Sequence, residues 1–386
     1  MQRYYFDHNA TTPVAPEVFE AMRPCWGEVY GNPSSIHHFG QLAKQRLEMA
    51  RWQTAALLNC HPREVVFVSG GTEADNLALL GVLRPCAGKH VITTAIEHPA
   101  VLGACAQIAR EGGEVTYVPV GAPGVVDPDD VRRALQPSTA MISVMHANNE
   151  LGTEQPVAEI ARIAREAEVW MHSDGVQAAG RLPVDVAALG VDLYSMSGHK
   201  IYAPKGVGAL FVRKGTPLGA IQHGGHHERD RRAGTENVAG AVALGKAAEC
   251  AARDRDTEAR RLSALRDRLE TGILARVPYA GVNGSRTARV PNTTNLYFDF
   301  IEGESLVIAL DLRGFAVSSG SACSSGSVEP SHVLLAIGLA PERARASIRF
   351  SLGRANDEEQ VDALIDAVAD AVTHLRKISP LTPAHA

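Results

Sequence analysis

Through its first two-thirds the chain repeats one pattern, a short apolar run followed by a helical stretch. "EVVFVSG" (64–70) leads into "TEADNLALLGVL", and "HVITTAI" (90–96) into "HPAVLGACAQIAREGG", which ends on two glycines as helices commonly do. "EVTYVPV" precedes "DPDDVRRAL", "AMISVMH" precedes "PVAEIARIAREA", and "VWMHSD" and "VDLYSMSG" close the series. Runs that alternate with helices in this way predict βαβ units. The sheet should therefore be mostly parallel, with helices on both faces. Ligands of such sheets bind beyond the C-terminal ends of the strands, so the residues just after each run are the ones to examine.

From about Asp254 the pattern changes. A charged helix, "DTEARRLSALRDRLETGILARV", leads into "NTTNLYFDF", which alternates like a half-buried strand. Helical "GESLVIALDL", strand-like "FAVSS", "ASIRFSL" and an amphipathic helix near 357–375 predict a smaller α+β unit. At 386 residues the chain is too long for one core and fits two domains. Apolar content of 45% and charged content of 21% are those of a soluble globular protein. A formal net charge of −5 without any Lys/Arg block argues against a nucleic-acid partner. No apolar run is long enough to span a bilayer, and "MQRYYFDHNATTP" has no signal-peptide core, so no membrane partner is expected. The six cysteines form no C-x-x-C pair, which suits neither a disulfide framework nor a zinc site but does suit a reducing, cytoplasmic compartment.

The residues after the runs are Gly70-Gly71-Thr72, Glu97-His98, Asn148-Asn149-Glu150, Asp174-Gly175-Val176-Gln177 and Ser197-Gly198-His199-Lys200. Any one of them reads as an ordinary helix cap. Together they carry a chemistry. In "SGGTEADN" two glycines permit close backbone approach and Thr72 opens a helix, which makes an anion site. No Gly-Lys-Ser/Thr follows and no G-x-G-x-x-G lies after a run, so neither a nucleotide nor a nicotinamide is indicated. Lys200, at the mouth of an apolar sheet, can lose its proton by desolvation and act as an amine nucleophile. Ser197 and His199 add phosphate donors, Asp174 an acceptor for a protonated ring nitrogen, and Gln177 a donor for a ring oxygen. Phosphate cradle, Schiff-base lysine and pyridinium-pairing aspartate describe a pyridoxal-phosphate site.

With those residues in hand, the sequence resembles a fold-type I pyridoxal-phosphate enzyme, and more narrowly a cysteine desulfurase of the NifS/IscS-like class. The similarity runs from "YYFDHNATTPVAPEV" through "GNPSSIHHFG", "PREVVFVSGGTEADN", "EHPAV", "HANNELGT", "HSDGVQAAG", "SGHKIYAPKGVGAL" and "HGGHHERDRRAGTEN" to "SSGSACSSGSVEPSHVL" and "SIRFSLGR". It implies an α/β fold with a mostly parallel seven-stranded sheet in a large domain (12–255). A smaller α+β domain (1–11 and 256–386) would carry a mobile catalytic-cysteine loop at about 318–328. It implies that Lys200 carries pyridoxal 5'-phosphate as a Schiff base, that His98 stacks on the ring and moves protons, and that Asp174 pairs with the ring nitrogen. Gln177 and Asn149 would contact the ring side, and Gly71, Thr72, Ser197 and His199 the phosphate, with Thr235 reaching in from the second subunit of a homodimer. Arg349, with Asn149, would bind the carboxylate of L-cysteine. Two departures stand out: Gly71 and Gly175 occupy positions where the family often has alanine, which puts flexibility rather than chemistry in question.

The stretch "VSSGSACSSGSVEP" (317–330) then gains a purpose. From Ser318 to Ser327 every residue is Ser, Gly or Ala except Cys323. A lone cysteine is usually a small buried hydrophobe, but nothing near this one supplies a core. Such a segment buries too little to offset the entropy of ordering, so it suits a tether for a nucleophile that visits a substrate and then an acceptor. The resemblance makes Cys323 the persulfide-bearing residue, with an iron–sulfur scaffold or another sulfur acceptor as partner and Cys323 itself as a transient cluster ligand. Three rival readings are a selenocysteine lyase, an aminotransferase of the same fold, and a non-catalytic carrier. The loop thiol disfavours the first two, and intact Lys200, Asp174, His98 and Cys323 disfavour the third. The histidines of "HGGHHERDRR" (223–232) offer no spaced ligand set, so no stable metal site is expected.

Overall fold

The computed structural model describes residues 2–86, 88–319, 329–380 and Thr382. Its main sheet has seven strands, in the order Val65–Val68, Gly208–Val212, Leu193–Ser197, Trp170–Asp174, Thr139–Ser143, His90–Thr94 and Glu114–Val118. Six run the same way, and Gly208–Val212 lies antiparallel to both neighbours. Burial of both faces explains the continuous apolar runs. Val65 and Phe67 point into one core, while Val66 and Val68 point into another beneath the Gly71–Leu83 helix.

The seventh strand hides in "GVGALFV", where sequence reading finds only a glycine-rich motif. Gly208, which opens the strand, is required by a close approach. A Cβ on Gly208 would lie 2.6 Å from the Met196 carbonyl oxygen and 2.8 Å from the Gly70 Cα. The chain can therefore bring this strand hard against the Gly70-Gly71 turn only without a side chain there.

A second core gathers the C-terminal part. Four strands in the order Ser318–Ser319, Ser347–Ser351, Thr293–Phe298 and Ala280–Asn283 pair antiparallel, and the Gly303–Asp311 and Glu358–Ile378 helices pack on them. Phe6 belongs to this core, and the Tyr4–Tyr5 strand pairs with Phe315–Ala316. The expected "FAVSS" strand is thus two short pieces in two different sheets.

Two other expectations need correction. Thr293–Phe298 is not half-buried: only Tyr297 is partly exposed. Its polar side chains are engaged on both faces, because Thr294 donates to Glu270 at 2.8 Å on one and Asn295 donates to the Glu150 carbonyl at 3.3 Å on the other. The charged helix begins far before residue 256, as the second half of one 39-residue helix, Val238–Arg276. Its first half is rich in Ala and Gly and packs against the His38–Leu58 helix. A Cβ on Gly245 would sit 2.6 Å from the Ala50 Cα, so the small residues let the two backbones touch. Leu262, Leu265, Leu269 and Ile273, further along the same rod, enter the second core. No helix among the described residues is long and apolar enough to cross a membrane.

Candidate active site

A cleft of about 770 Å³, counting solvent in its mouth, opens at the C-terminal edge of the main sheet. Gly71, Thr72, His98, Asn149, Asp174, Gln177, Ser197, His199, Lys200 and Arg349 all line it. Thr235 does not; it is exposed on the single chain. Cys323 lies outside the described residues.

Each group arrives on the end of a regular element. Asp174 ends its strand, is almost wholly buried, and accepts from the Val176 N–H at 2.9 Å. Burial pushes its carboxyl above the usual range, while His98 and Lys200 pull it back. His98 caps the Pro99–Arg110 helix, and its Nδ1 accepts from the Ala100 N–H at 3.1 Å, so in the neutral ring the proton sits on Nε2. Burial holds His98 below the ordinary histidine range, and burial likewise brings His199 down to about 4, so both rings are neutral at pH 7. Lys200 sits in the Gly198–Lys200 turn, its Nζ donating to the carbonyls of Asn9 at 2.5 Å and Ala10 at 2.7 Å.

The N-terminal segment is the part of the site that sequence reasoning missed. Asn9 is itself clamped: its N–H donates to Ser351 Oγ at 2.9 Å and its side-chain amide to Thr293 Oγ1 at 2.9 Å. Gln177 also donates to the Asn9 carbonyl, at 3.1 Å. Asp7 accepts from Arg349 at 2.7 Å, while a second nitrogen of that guanidinium donates to the Asn149 carbonyl at 3.0 Å. Arg349 Nε is buried without a hydrogen-bond partner among the described residues. The signal was present in the polar run "DHNATT" directly after three aromatic residues, but its main contribution is through backbone carbonyls.

The two glycine departures turn out to be packing solutions. A Cβ on Gly71 would lie 2.8 Å from Val176 Cγ2, and one on Gly175 only 1.9 Å from Tyr194 Cζ. Tyr194 is fully buried and its hydroxyl bonds His146 Nδ1 at 2.8 Å. The concern about flexibility is therefore misplaced, because bulky neighbours fill the space that each glycine leaves.

Both described flanks of the 320–328 segment attach beside the cleft. On one side Ser318 is the strand partner of Arg349. On the other, Ser331 donates to Glu150 at 2.6 Å, and His332 Nε2 donates to the carbonyl of Glu97, the residue before His98, at 2.9 Å. In the 223–232 loop His226 pairs with Asp230, and no group of three or more His, Cys, Asp or Glu among the described residues is placed to hold a metal.

The donor set fits a phosphorylated pyridine. The Gly71–Leu83 helix begins without a side-chain cap, so its first N–H groups and Thr72 suit a phosphate, with Ser197 and His199 beside them. A buried acid, Asp174, lines the same cleft as the lysine.

Comparison with known proteins agrees. The aminotransferase class-V family model matches residues 4–364. The cysteine desulfurase IscS of Methanosarcina thermophila is 49% identical over 381 residues, covering 98% of this chain and 94% of the relative. A solved NifS-like protein is 36% identical with a TM-score of 0.91, covering 97% of this chain and all of that one. A structure described as SspA in complex with cysteine is 36% identical with a TM-score of 0.81, over 90% and 98% of the two chains. A cleft that suits a phosphorylated pyridine, in a chain matched nearly end to end by those relatives, leads to one conclusion: the chain belongs to the aminotransferase class-V family, as a pyridoxal-phosphate-dependent cysteine desulfurase.

Proposed function

We propose that the protein moves sulfur from L-cysteine onto Cys323, releases L-alanine, and passes the sulfur to an acceptor protein. The observation that carries this reading is the attachment of both flanks of the 320–328 segment beside the cleft. Cys323 is four residues beyond Ser319, and four residues span at most about 14 Å. The thiol is therefore tethered close to the strand from which Arg349 lines the cleft. The relative solved with cysteine supports the substrate.

Bound pyridoxal phosphate supplies an electron sink for the substrate Cα. Lys200 would hold it covalently, the helix start at Gly71 and Thr72 with Ser197 and His199 would hold its phosphate, and Asp174 would keep its ring nitrogen protonated. Gln177 and Asn149 would contact it from the side, and His98 would stack on the ring. Arg349, with Asn149, takes the substrate carboxylate and fixes the sulfur towards the loop. Once the substrate amine has taken over its bond to the cofactor, Lys200 Nζ would be a free amine able to take the Cα proton. The Cys323 thiol, whose ordinary pKa of about 8.5 leaves it mostly protonated at neutral pH, would pass its proton to His98 at Nδ1, which must first give up the bond it accepts from the Ala100 N–H. The thiolate attacks the substrate sulfur, so that an S–S bond forms as the C–S bond breaks, and a proton returned to Cβ completes alanine. Cysteine and thiol become alanine and persulfide, with no outside oxidant or reductant.

A homodimer completes the phosphate site through Thr235 of the second copy. Ile36, Trp26 and Trp52 are exposed by 94%, 73% and 61%, an apolar display that suits burial against another chain. The recipient is an iron–sulfur scaffold, with Cys323 a passing ligand of the nascent cluster; the IscS name of the relative supports that choice. The five described cysteines are free thiols, which suits the cytoplasm.

Incubation with sulfur-labelled cysteine followed by peptide mapping tests the reading. Label is expected on Cys323, and Cys323→Ala should lower desulfuration by about 100-fold or more while the cofactor still binds. Full activity in that variant, or label on another cysteine, would sink the mechanism.

A further inference from the structure

Beneath the cleft lies a group that this chemistry does not use. Asp75 sits in the second turn of the Gly71–Leu83 helix, is 1% exposed, and lines the same cleft as Asp174. Its Oδ1 has no hydrogen-bond partner among the described residues, and the nearest basic atom is His172 Nε2 at 3.6 Å. His172 lies two residues before Asp174 on the same strand and is fully buried. Its Nδ1 bonds Ser143 Oγ at 2.8 Å and its Nε2 bonds Ser195 Oγ at 3.0 Å.

Among the described residues no lysine or arginine pairs with Asp75 to balance a negative charge. The ionisable groups that bear on it are two further carboxyls, Asp174 from the neighbouring strand end and Glu97 from the loop before His98, and neither favours its charged form. Ser195 is its one hydrogen-bonding neighbour among the described residues, and that contact favours the charged form less than burial opposes it. Burial drives His172 down to about 3, so its ring is neutral. Asp174 differs: Lys200 and His98 favour its charged form. Two carboxyl groups that share a dry site cannot both ionise, and the proton settles on the one with less cationic support.

We propose that Asp75 is a positioning residue that holds a proton beneath the cleft, so that Asp174 alone offers negative charge to the cofactor ring nitrogen. Ser195 and neutral His172, tied to Ser143, hold the protonated carboxyl in place. Were Asp75 ionised, its charge would draw a proton onto Asp174, and the ring nitrogen would lose its partner. This rests on the assignment of Asp174 made under the proposed function.

Infrared difference spectra of wild type against Asp75→Asn, on cofactor-free protein at about pH 8, read the proton directly. The expected result is the carbonyl stretch of a protonated carboxyl in wild type that is missing from the variant. Carboxylate bands alone would overturn the proposal. Ser195→Ala should shift that band without removing it, which keeps the test available if Asp75→Asn folds poorly; a band indifferent to Ser195→Ala belongs to another residue and overturns the assignment. In loaded protein, the pH midpoint of the cofactor's visible absorbance should move by less than about 0.3 unit in Asp75→Asn. A fall of about one unit or more would show that a negative charge had been removed from beside the cationic cofactor–lysine linkage, and the proposal would fail. A loaded wild type with no visible band defeats the cofactor assignment instead, independently of the infrared result.

Discussion

Gly175 and Tyr194 are adjacent only in space, and each makes sense only with the other. Gly175→Ala drives a methyl into the Tyr194 ring, which is anchored through His146 and has no room to retreat. Overpacking of this kind costs about 1–3 kcal/mol, and we expect urea denaturation to show a loss in that range. Adding Tyr194→Leu should recover at least about 1 kcal/mol, a coupling that independent sites would not show. Gly71→Ala should cost less, since the clash is with one methyl of Val176 at 2.8 Å. Among single residues, those that follow strands were legible because the geometry of parallel sheets dictates where they gather. Asn9 and Ala10 were not, since they hold Lys200 with carbonyls that any sequence could supply. Asp75 was hidden because it sits within a helix whose neighbours Ala74, Leu77 and Ala78 read as core.

At the scale of elements, the loop 223–232 shows how much can hang on one ion pair. Glu228, Arg229 and Asp230 all adopt positive φ, at 46°, 59° and 64°, a conformation that costs each ordinary residue roughly 1–2 kcal/mol. Glu228 is buried and accepts from both terminal nitrogens of buried Arg51, at 2.7 and 2.8 Å, and from the Phe67 N–H at 3.2 Å. Arg51 also donates to the Val65 carbonyl at 2.9 Å, so the strand and the loop share one guanidinium. Arg51→Ala would leave a buried carboxylate unpaired and should destabilise the chain by about 3–5 kcal/mol in urea unfolding. Nothing local in "HHERDRR" announces this, because the partner is 177 residues away. The elements that the sequence did reveal were those with a strong period and clear punctuation, such as His90–Thr94 and Pro99–Arg110. Helix His38–Leu58 went unread since its buried face mixes Ala, Gly, Thr and Arg with leucine, a weak apolar stripe.

The whole molecule should report its buried ionisable groups through its stability. Burial raises Glu97 to about 8 and Glu150 to about 7. Such groups hold a proton longer folded than unfolded, so stability falls as pH rises from about 4.5 towards those values. Burial lowers His8 and His146 to about 4 and His172 to about 3, and for these stability falls as pH drops below about 6.5. The slopes oppose one another between about 4.5 and 6.5, and only the carboxyl slope remains above that. The Tm of cofactor-free protein should therefore change little from about pH 5 to 6.5 and fall by a few degrees towards pH 8. Glu97→Gln should flatten part of that fall, and an undiminished slope in the variant would refute the assignment.

The clamp on Asn9 has a bearing on how the protein is made. The segment that grips Lys200 is made before the lysine itself, yet its own partners, Thr293 and Ser351, are made well after it. Strands, helices and even the phosphate cradle of the large sheet precede them in the order of synthesis. A nascent chain therefore carries an unfinished lysine pocket until Ser351 has been translated, which places cofactor loading after the strands of the second core have been made.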